Sequence, residues 1–570
     1  MSGPFGNTFF GGRGPFYGFE IGNSLRLEDG DSAFLSRTPS SEGNRRTFTL
    51  SCWLKRANIP SGEAYIFSAG HTNFNSFGGL EFIGGEIVLQ NFNSGTQVIA
   101  RTGTVLFRDP AAWYNIILAV NTTESTAGDR LKLYVNGTQI TAFDGSDSDL
   151  TLNYDTQFNN TEQHTFGCRQ ASSQDAFLDA YLAEVNFIDG TALTPSSFGE
   201  TKEGIWIPKD TSGLTFGTNG FRLQFKNSSV GTASSSTIGA DTSGNDHHFS
   251  STNVATTDNM LDSPTDNHCT LSPIQLAETG VGTFSEGNLK VVLGNTITRN
   301  YGTFVIPASG KYYFEATPSD VSGGPRVGIS VMRDDGNQPR FVYRSNGAKI
   351  VNTSESSYGA SYAADDVIGV AINVDDAEID FLKNNSSQGA FSIDLSLSHG
   401  TFMPFVTDGS GAASSTFTFN FGATAFAHTP PSGFVKLSTA NLPNPTIDPA
   451  QGENPTDYFN TVLYTGNGST QSITGVNFSP NWTWIKNRSA NDAHVFTDSV
   501  RGVTKEIQSN AASAESTNAD GLTAFGSDGF SLGDDDIYNT NTESYVSWNW
   551  LAETTASGSE DGNNPAFSSS

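Results

Sequence analysis

The stretch ADDVIGVAINVDDAEIDFLKNN, residues 364–385, crowds Asp375, Asp376, Glu378 and Asp380 around one corner. Carboxyls this close could serve as a general acid and base or hold a hard cation. The local pattern argues for neither. Ile368, Val370, Ile372 and Val374 alternate, and Ile379 with Phe381 resumes an apolar face after the Asp-Asp corner, so the segment reads as a half-buried antiparallel hairpin. Its acids interleave with apolar residues and are expected to face water. His247-His248 with His268 and Cys269 could imitate a zinc site, but the spacing fits no standard ligand pattern. No HExxH, P-loop or GxSxG signature supplies another chemistry.

The elements that must carry these residues are short strands. The chain has 570 residues, too many for one core, and typical domain sizes imply roughly three or four domains. Gly is 60 and Phe 42 of the total, Ser, Thr and Asn abound, and helix-forming runs are scarce, so the expected class is all-β. A formal charge of −29 repels phosphate backbones and speaks against nucleic acid as a partner. Cys52, Cys168 and Cys269 are too few and scattered for a disulfide framework. The first residues lack a signal-peptide pattern and no window is apolar enough to span a bilayer, so neither secretion by that route nor membrane insertion is expected.

Strand signals and breaks divide the chain. Residues 1–20 form a Gly- and aromatic-rich arm, in which Phe5, Phe9, Phe10, Phe16 and Tyr17 are candidates for docking on a partner. Residues 21–228 read as a sandwich, through RTFTLSCWLKR, EIVLQNF, WYNIILAVN, RLKLYVNGTQI and AYLAEVNFIDG. Residues 229–284, rich in Ser, Thr, Gly and Asn, read as an extended linker or irregular loops. A second sandwich is expected over 285–440, a proline-rich linker over 441–457, a β domain over 458–555 and a polar tail over 556–570. Trp53, Trp113, Phe381, Trp482, Trp484, Trp548 and Trp550 sit in strand-like patterns and are expected in cores.

The second sandwich resembles a SPRY domain in GKYYFEA (310–316), RVGIS (326–330), YRSNGAKI (343–350), the hairpin above, TFMPFVT (401–407) and FNFG (419–422). The first resembles concanavalin A-like, laminin-G-type sandwiches in LSCWLKR, WYNIILAVN, RLKLYVNG and AYLAEVNFIDG. With NSLRLEDGDSAFLSRTPSS before these and GTNGFRLQF, DTSGNDHHF and MLDSPTDN after, the run is similar to virion proteins of marine tailed phages. The last unit, with NWTWIKNRS, DSVRG, GSDGFSLG and YVSWNW, is similar to a domain often found C-terminal in such proteins.

These resemblances imply tandem concanavalin A-like, jelly-roll sandwiches in a virion-surface, tail-fibre or receptor-binding protein. Its partners would be other virion proteins and a host glycan or outer-membrane protein, and by analogy with fibres it would form a homo-oligomer. Alternatives are a structural role, as capsid decoration or head fibre, and a polysaccharide depolymerase. For the last, one family of this fold uses Glu-x-Asp-x-x-Glu on a single strand, but the match at Glu378, Asp380 and Lys383 places lysine third, so no enzyme is expected. Laminin-G-like domains often hold Ca²⁺ at a sandwich rim, which makes Asp144, Asp147 and Asp149 in FDGSDSDL candidate ligands and GDDDIYNTN (533–541) a second oxygen-rich loop. SPRY domains bind through loops at one end, which nominates Tyr343, Arg344, Tyr358 and Tyr362 for a ligand.

Overall fold

Strand Thr47–Arg56 shows how the sequence builds the first sandwich. Phe48, Leu50, Cys52 and Leu54 alternate into one core, while Thr49, Ser51, Trp53 and Lys55 point the other way and are buried too. Such two-sided burial requires both faces of the sheet to be covered. In the computed structural model they are. The structure describes residues 16–570 except 71–75, 145–148, 171–173, 275–279, 295–297, 333–339, 399–401, 409–412, 444–446, 448–452, 553–556, 559–566 and 569–570.

One sheet of the first sandwich runs Thr138–Ile140, Leu131–Val135, Trp113–Asn121, Thr47–Arg56, Ala180–Asp189, Ser24–Leu27, Asn259–Met260. The facing sheet runs Phe143–Asp144, Thr96–Leu106, Glu86–Asn93, Phe77–Ile83, Glu63–Gly70, Gln163–Phe166, Phe34–Arg37, Ser250–Thr252. The second sandwich packs a sheet centred on Lys311–Asp320 and Ile368–Asn373 against one centred on Arg326–Val331 and Phe402–Thr407. Within it the hairpin pairs Ile368 with Lys383 through Asn373 with Glu378, and Asp375, Asp376 and Glu378 are exposed. The protein is all-β, with tandem antiparallel sandwiches and three buried, unpaired cysteines.

Residues 229–284 carry only short strands, as irregular loops do, and pack against the sandwiches instead of spanning them as an extended linker. Ile238, Phe249, Met260, Cys269 and Leu271 are buried, the first two in the first core and the other three in a cluster that joins Trp53, Trp113 and Tyr181 to the second sandwich. Composition hid this because the segment is held by polar contacts. Lys55 Nζ, buried, pairs with Asp262 Oδ2 at 2.7 Å and donates to Asn267 Oδ1 at 2.8 Å, while the Trp113 indole donates to Asp262 Oδ1 at 3.1 Å. Arg26 joins Asp258 and Glu286, both at 2.6 Å. Removing one member of so dry a network would strand a charge, which fixes the segment in place. Residues Met1–Pro445 accordingly form one compact unit and Thr446–Ser570 another.

In the second unit, six strands run Phe459–Thr465, Ser544–Trp550, Trp482–Asn487, Val495–Asp498, Lys505–Gln508, Ser516–Thr517, and three run Gln471–Thr474, Gly529–Leu532, Leu522–Gly526. Their core holds Ile473, Val476, Ile485, Val495, Leu532 and Tyr545.

Candidate functional site

Strand Arg340–Arg344 delivers Tyr343 to one end of the second sandwich, and the loop after Ser354–Ser357 returns Tyr358 and Tyr362 over it. Tyr343 lies 5.5 Å from Tyr358, 5.1 Å from Tyr362 and 5.5 Å from Phe381 by ring centroids. The residues nominated from the sequence therefore meet, but two of them do not face a ligand. Tyr343 and Tyr362 are buried. Their hydroxyls donate to carbonyls, Tyr343 to Ala360 and Tyr362 to Pro325 at 3.0 Å. Burial pushes the Tyr343 phenol up to about 12. These tyrosines hold the loop down. Tyr358 remains half-buried, with its hydroxyl on Gly389 O at 2.7 Å and Lys349 Nζ 5.3 Å from its ring centre. Arg344 forks onto Glu355 at 3.0 and 2.9 Å. What this end offers to a ligand is thus Tyr358, Lys349 and the Arg344–Glu355 pair.

Other nominated residues are dispersed. Phe5, Phe9 and Phe10 lie outside the described residues, as does Asp147. Phe16 is buried against its own chain, its carbonyl accepting from Lys202 Nζ at 2.9 Å, and Tyr17 packs edge-on against it. Asp144 ends a strand paired with Thr96–Leu106, and Asp149 is exposed. In the second oxygen-rich loop Asp535 caps the short helix Asp536–Asn539 by accepting from Ile537 N. His247 faces Gly220 O, His248 accepts from Asp241 N, and buried His268 meets Lys436 and Asp266. A mainly apolar cleft of about 240 Å³ lies between the sheets of the second sandwich, lined by Ile306, Ile329, Ile372, Val374 and Phe402 among others, all with apolar side chains.

The feature that pattern alone misplaces is in the second unit. Trp482 and Trp484 alternate along one strand, Trp548 and Trp550 along its neighbour, and register sets Trp482 opposite Trp550 and Trp484 opposite Trp548. All four are half-exposed rather than core. Ring centroids are 4.3 Å apart for Trp482–Trp550, 5.0 Å for Trp484–Trp548, 4.9 Å for Phe459–Trp550 and 5.1 Å for Trp484–Phe496. The Trp484 indole donates to His494 Nδ1 at 3.1 Å, and Asp498, opposite Trp482 across the strand pair, is held by Arg501 at 2.5 Å. The covered side of the same strands carries buried Thr483, Asn487, Ser547 and Asn549. The covered side is mixed, Ile485 and Tyr545 lying in the core in step with these polar residues, while the four indoles take the partly exposed side. Period-two spacing puts the indoles on one face but does not say which face is covered. The polar alternates were the available signal.

Residues 29–197 match the concanavalin A-like lectin/glucanases superfamily, residues 311–424 the SPRY domain, and residues 454–570 a domain of unknown function (DUF7483). The chain therefore carries a laminin-G-type and a SPRY domain. Among curated proteins, ATP-dependent RNA helicase Ddx1 of Drosophila melanogaster is 34% identical over 156 residues, 26% of this chain and 21% of that protein. ATP-dependent RNA helicase DDX1 of Xenopus laevis is 32% identical over 136 residues, 23% and 18%. The chain spans about a fifth of the length of these relatives. Similar solved structures include the SPRY domain of human HERC1 (17% identity, 26% of this chain, 96% of that one, TM-score 0.22) and domains LG4-5 of the mouse laminin alpha1 chain (9%, 69%, 84%, TM-score 0.25).

Proposed function

We propose that this chain is a non-catalytic adhesion protein of a tailed-phage virion, a tail-fibre or receptor-binding component that attaches to glycan on the host surface. The observation that carries this reading is the solvent-facing indole face of the second unit. Sugar rings present flat C–H faces that pack on aromatic rings while hydroxyls take hydrogen bonds from neighbouring polar groups, and here the four indoles share their sheet with Asp498, which lies opposite Trp482 and is held by Arg501. Tyr358, Lys349 and Arg344 at the SPRY end form a second surface for the same task, where an outer-membrane protein is the alternative receptor. The test is binding of the full chain to host cells and to isolated host polysaccharide, in competition with phage adsorption. Saturable binding that blocks adsorption and is lost in Trp482→Ala/Trp484→Ala supports the reading; binding to neither, by folded protein, removes it. Release of reducing sugars from the polysaccharide would make it a depolymerase.

A structural role, as capsid decoration or head fibre, has its own support in aliphatic exposure on the second unit. Leu463 is 62% and Val500 73% exposed, and aliphatic surface suits protein contact better than sugar. In that case the indole face would close against another virion subunit or a second copy of the chain, and light scattering of wild type against the double variant would show it.

A further inference from the structure

Glu28 and Asp29 lie just past strand Ser24–Leu27, and Asp179 immediately precedes Ala180–Asp189. The two strands pair antiparallel with Leu27 opposite Ala180, so the three carboxyls converge where one strand ends and the other begins. One oxygen of each lies within 4.8 Å of the other two. Glu28 is 7% and Asp179 4% exposed.

Some buried acids of this unit have a cation in contact, as Asp262 has Lys55, Glu184 has Arg222 and Asp258 has Arg26, and others, as Asp189 and Glu315, are held by several hydrogen bonds instead. Glu28, Asp29 and Asp179 have no cation within ion-pair distance among the described residues. Arg26 is taken by Asp258 and Glu286, and Arg56 Nη1 donates to the carbonyls of Gly84 and Phe107. Asp29 Oδ2 receives the Asn58 amide at 2.9 Å and Glu28 Oε2 the Gly287 N–H at 3.1 Å. Asp179 Oδ1 is buried with no hydrogen-bond partner. Burial, with the charges of Glu28 and Asp29, drives the Asp179 carboxyl well above its usual range, although the charges of Arg26 and Arg56 oppose it without contacting it. Without a counter-ion the arrangement is costly.

We propose that Glu28, Asp29 and Asp179 hold a calcium ion. The donors are all carboxylate oxygens, which suit a hard cation rather than zinc or copper. Ligands on opposite sides of an ion with bonds of about 2.3–2.6 Å stand about 4.6–5.2 Å apart, which accommodates the separations here. Magnesium, at about 2.0–2.1 Å, draws its ligands closer and keeps several waters, for which this dry site is poorly suited. Because Glu28 also accepts from Gly287, next to the first hairpin of the second sandwich, the ion would brace the seam between the laminin-G-type and SPRY domains. Gly287 has φ +61°, and a Cβ there would collide with the Tyr181 hydroxyl, so the backbone amide that reaches Glu28 is itself fixed.

The test is calorimetric titration of Ca²⁺ into chelator-treated full chain, with thermal melts in Ca²⁺, in Mg²⁺ and in chelator. Wild type should bind Ca²⁺ in preference to Mg²⁺ and melt higher with it. Asp179→Asn and Asp29→Asn should each weaken binding on the order of 10- to 100-fold, the loss that supporting contacts alone cause at metal sites. Asp149→Asn should leave it unchanged. Asp179→Asn relieves like-charge crowding, so it should fold without metal and melt at least as high as wild type in chelator. The proposal is overturned if wild type binds no Ca²⁺ or if its binding survives both substitutions.

Discussion

The tyrosines at the SPRY end and the tryptophans of the second unit are the same kind of resource put to opposite uses. Both clusters consist of rings about 4–6 Å apart on neighbouring strands and loops. Around Tyr343 the rings are sealed, their hydroxyls spent on Ala360 and Pro325 carbonyls. Around Trp484 the rings stay half in water while Thr483, Asn487, Ser547 and Asn549 occupy the covered side. Clustering of aromatics therefore does not distinguish a buried core from a half-exposed face. What lies on the opposite side of the strand does.

Truncation should separate the two clusters most strongly. Tyr343→Ala should destabilise the unit of residues 1–445 by about 3–5 kcal/mol in denaturant unfolding, as for other buried aromatics. Trp484→Ala should cost the other unit only about 1 kcal/mol, the value of its ring contacts. Equal costs would mean that both clusters are structural. Alkaline titration sharpens the contrast. The Tyr343 phenol sits at about 12 in the folded chain, above the ordinary 10, so its contribution to stability is complete below pH 10 and lost as pH rises through 12. Alkaline unfolding of Tyr343→Phe should lose that component, at the cost of one hydrogen bond, about 1 kcal/mol at neutral pH. If wild type and variant unfold identically with pH, the ring is not sealed.

Smaller effects concern the surface. On the proposed glycan-binding role, Trp482→Ala or Trp548→Ala should each weaken binding to host polysaccharide by roughly fivefold, equivalent to about 1 kcal/mol per ring. Acrylamide should quench the indoles of the second unit while sparing Trp53 and Trp113, which are 3% and 1% exposed. Arg344→Ala should be the mildest, within about 1 kcal/mol of stability, because its pair with Glu355 is at the surface.

The strand framework is legible because period-two alternation is imposed by burial on one face, and the hairpin from Ile368 to Lys383 pairs in the register its sequence implies. Three things are harder to read. Tyr343 stands two residues beyond Phe341 on the inward side of its strand, so its core position is readable, but the expectation of a loop ligand displaces it. Ranking hydrophobicity within the strand turns the indoles inward, because it ignores the Thr, Asn and Ser between them. Residues 229–284 look like a linker because composition reports how much apolar surface a segment brings, not how many buried charges it satisfies. Asp262, one residue in an ordinary polar run, engages Lys55, Trp113 and the His268 amide together.

That last feature bears on inheritance. With Asp258, Asp262, Asn267 and Met260 threaded through the face of the first sandwich, the second sandwich cannot be exchanged together with this segment without exposing Trp53, Trp113 and Lys55 of the first. A crossover near residue 229 would part residues that complete each other's charges, whereas one near 445 would cut between compact units. Relatives that arise by recombination should keep the two sandwiches as one cassette and join them to different second units.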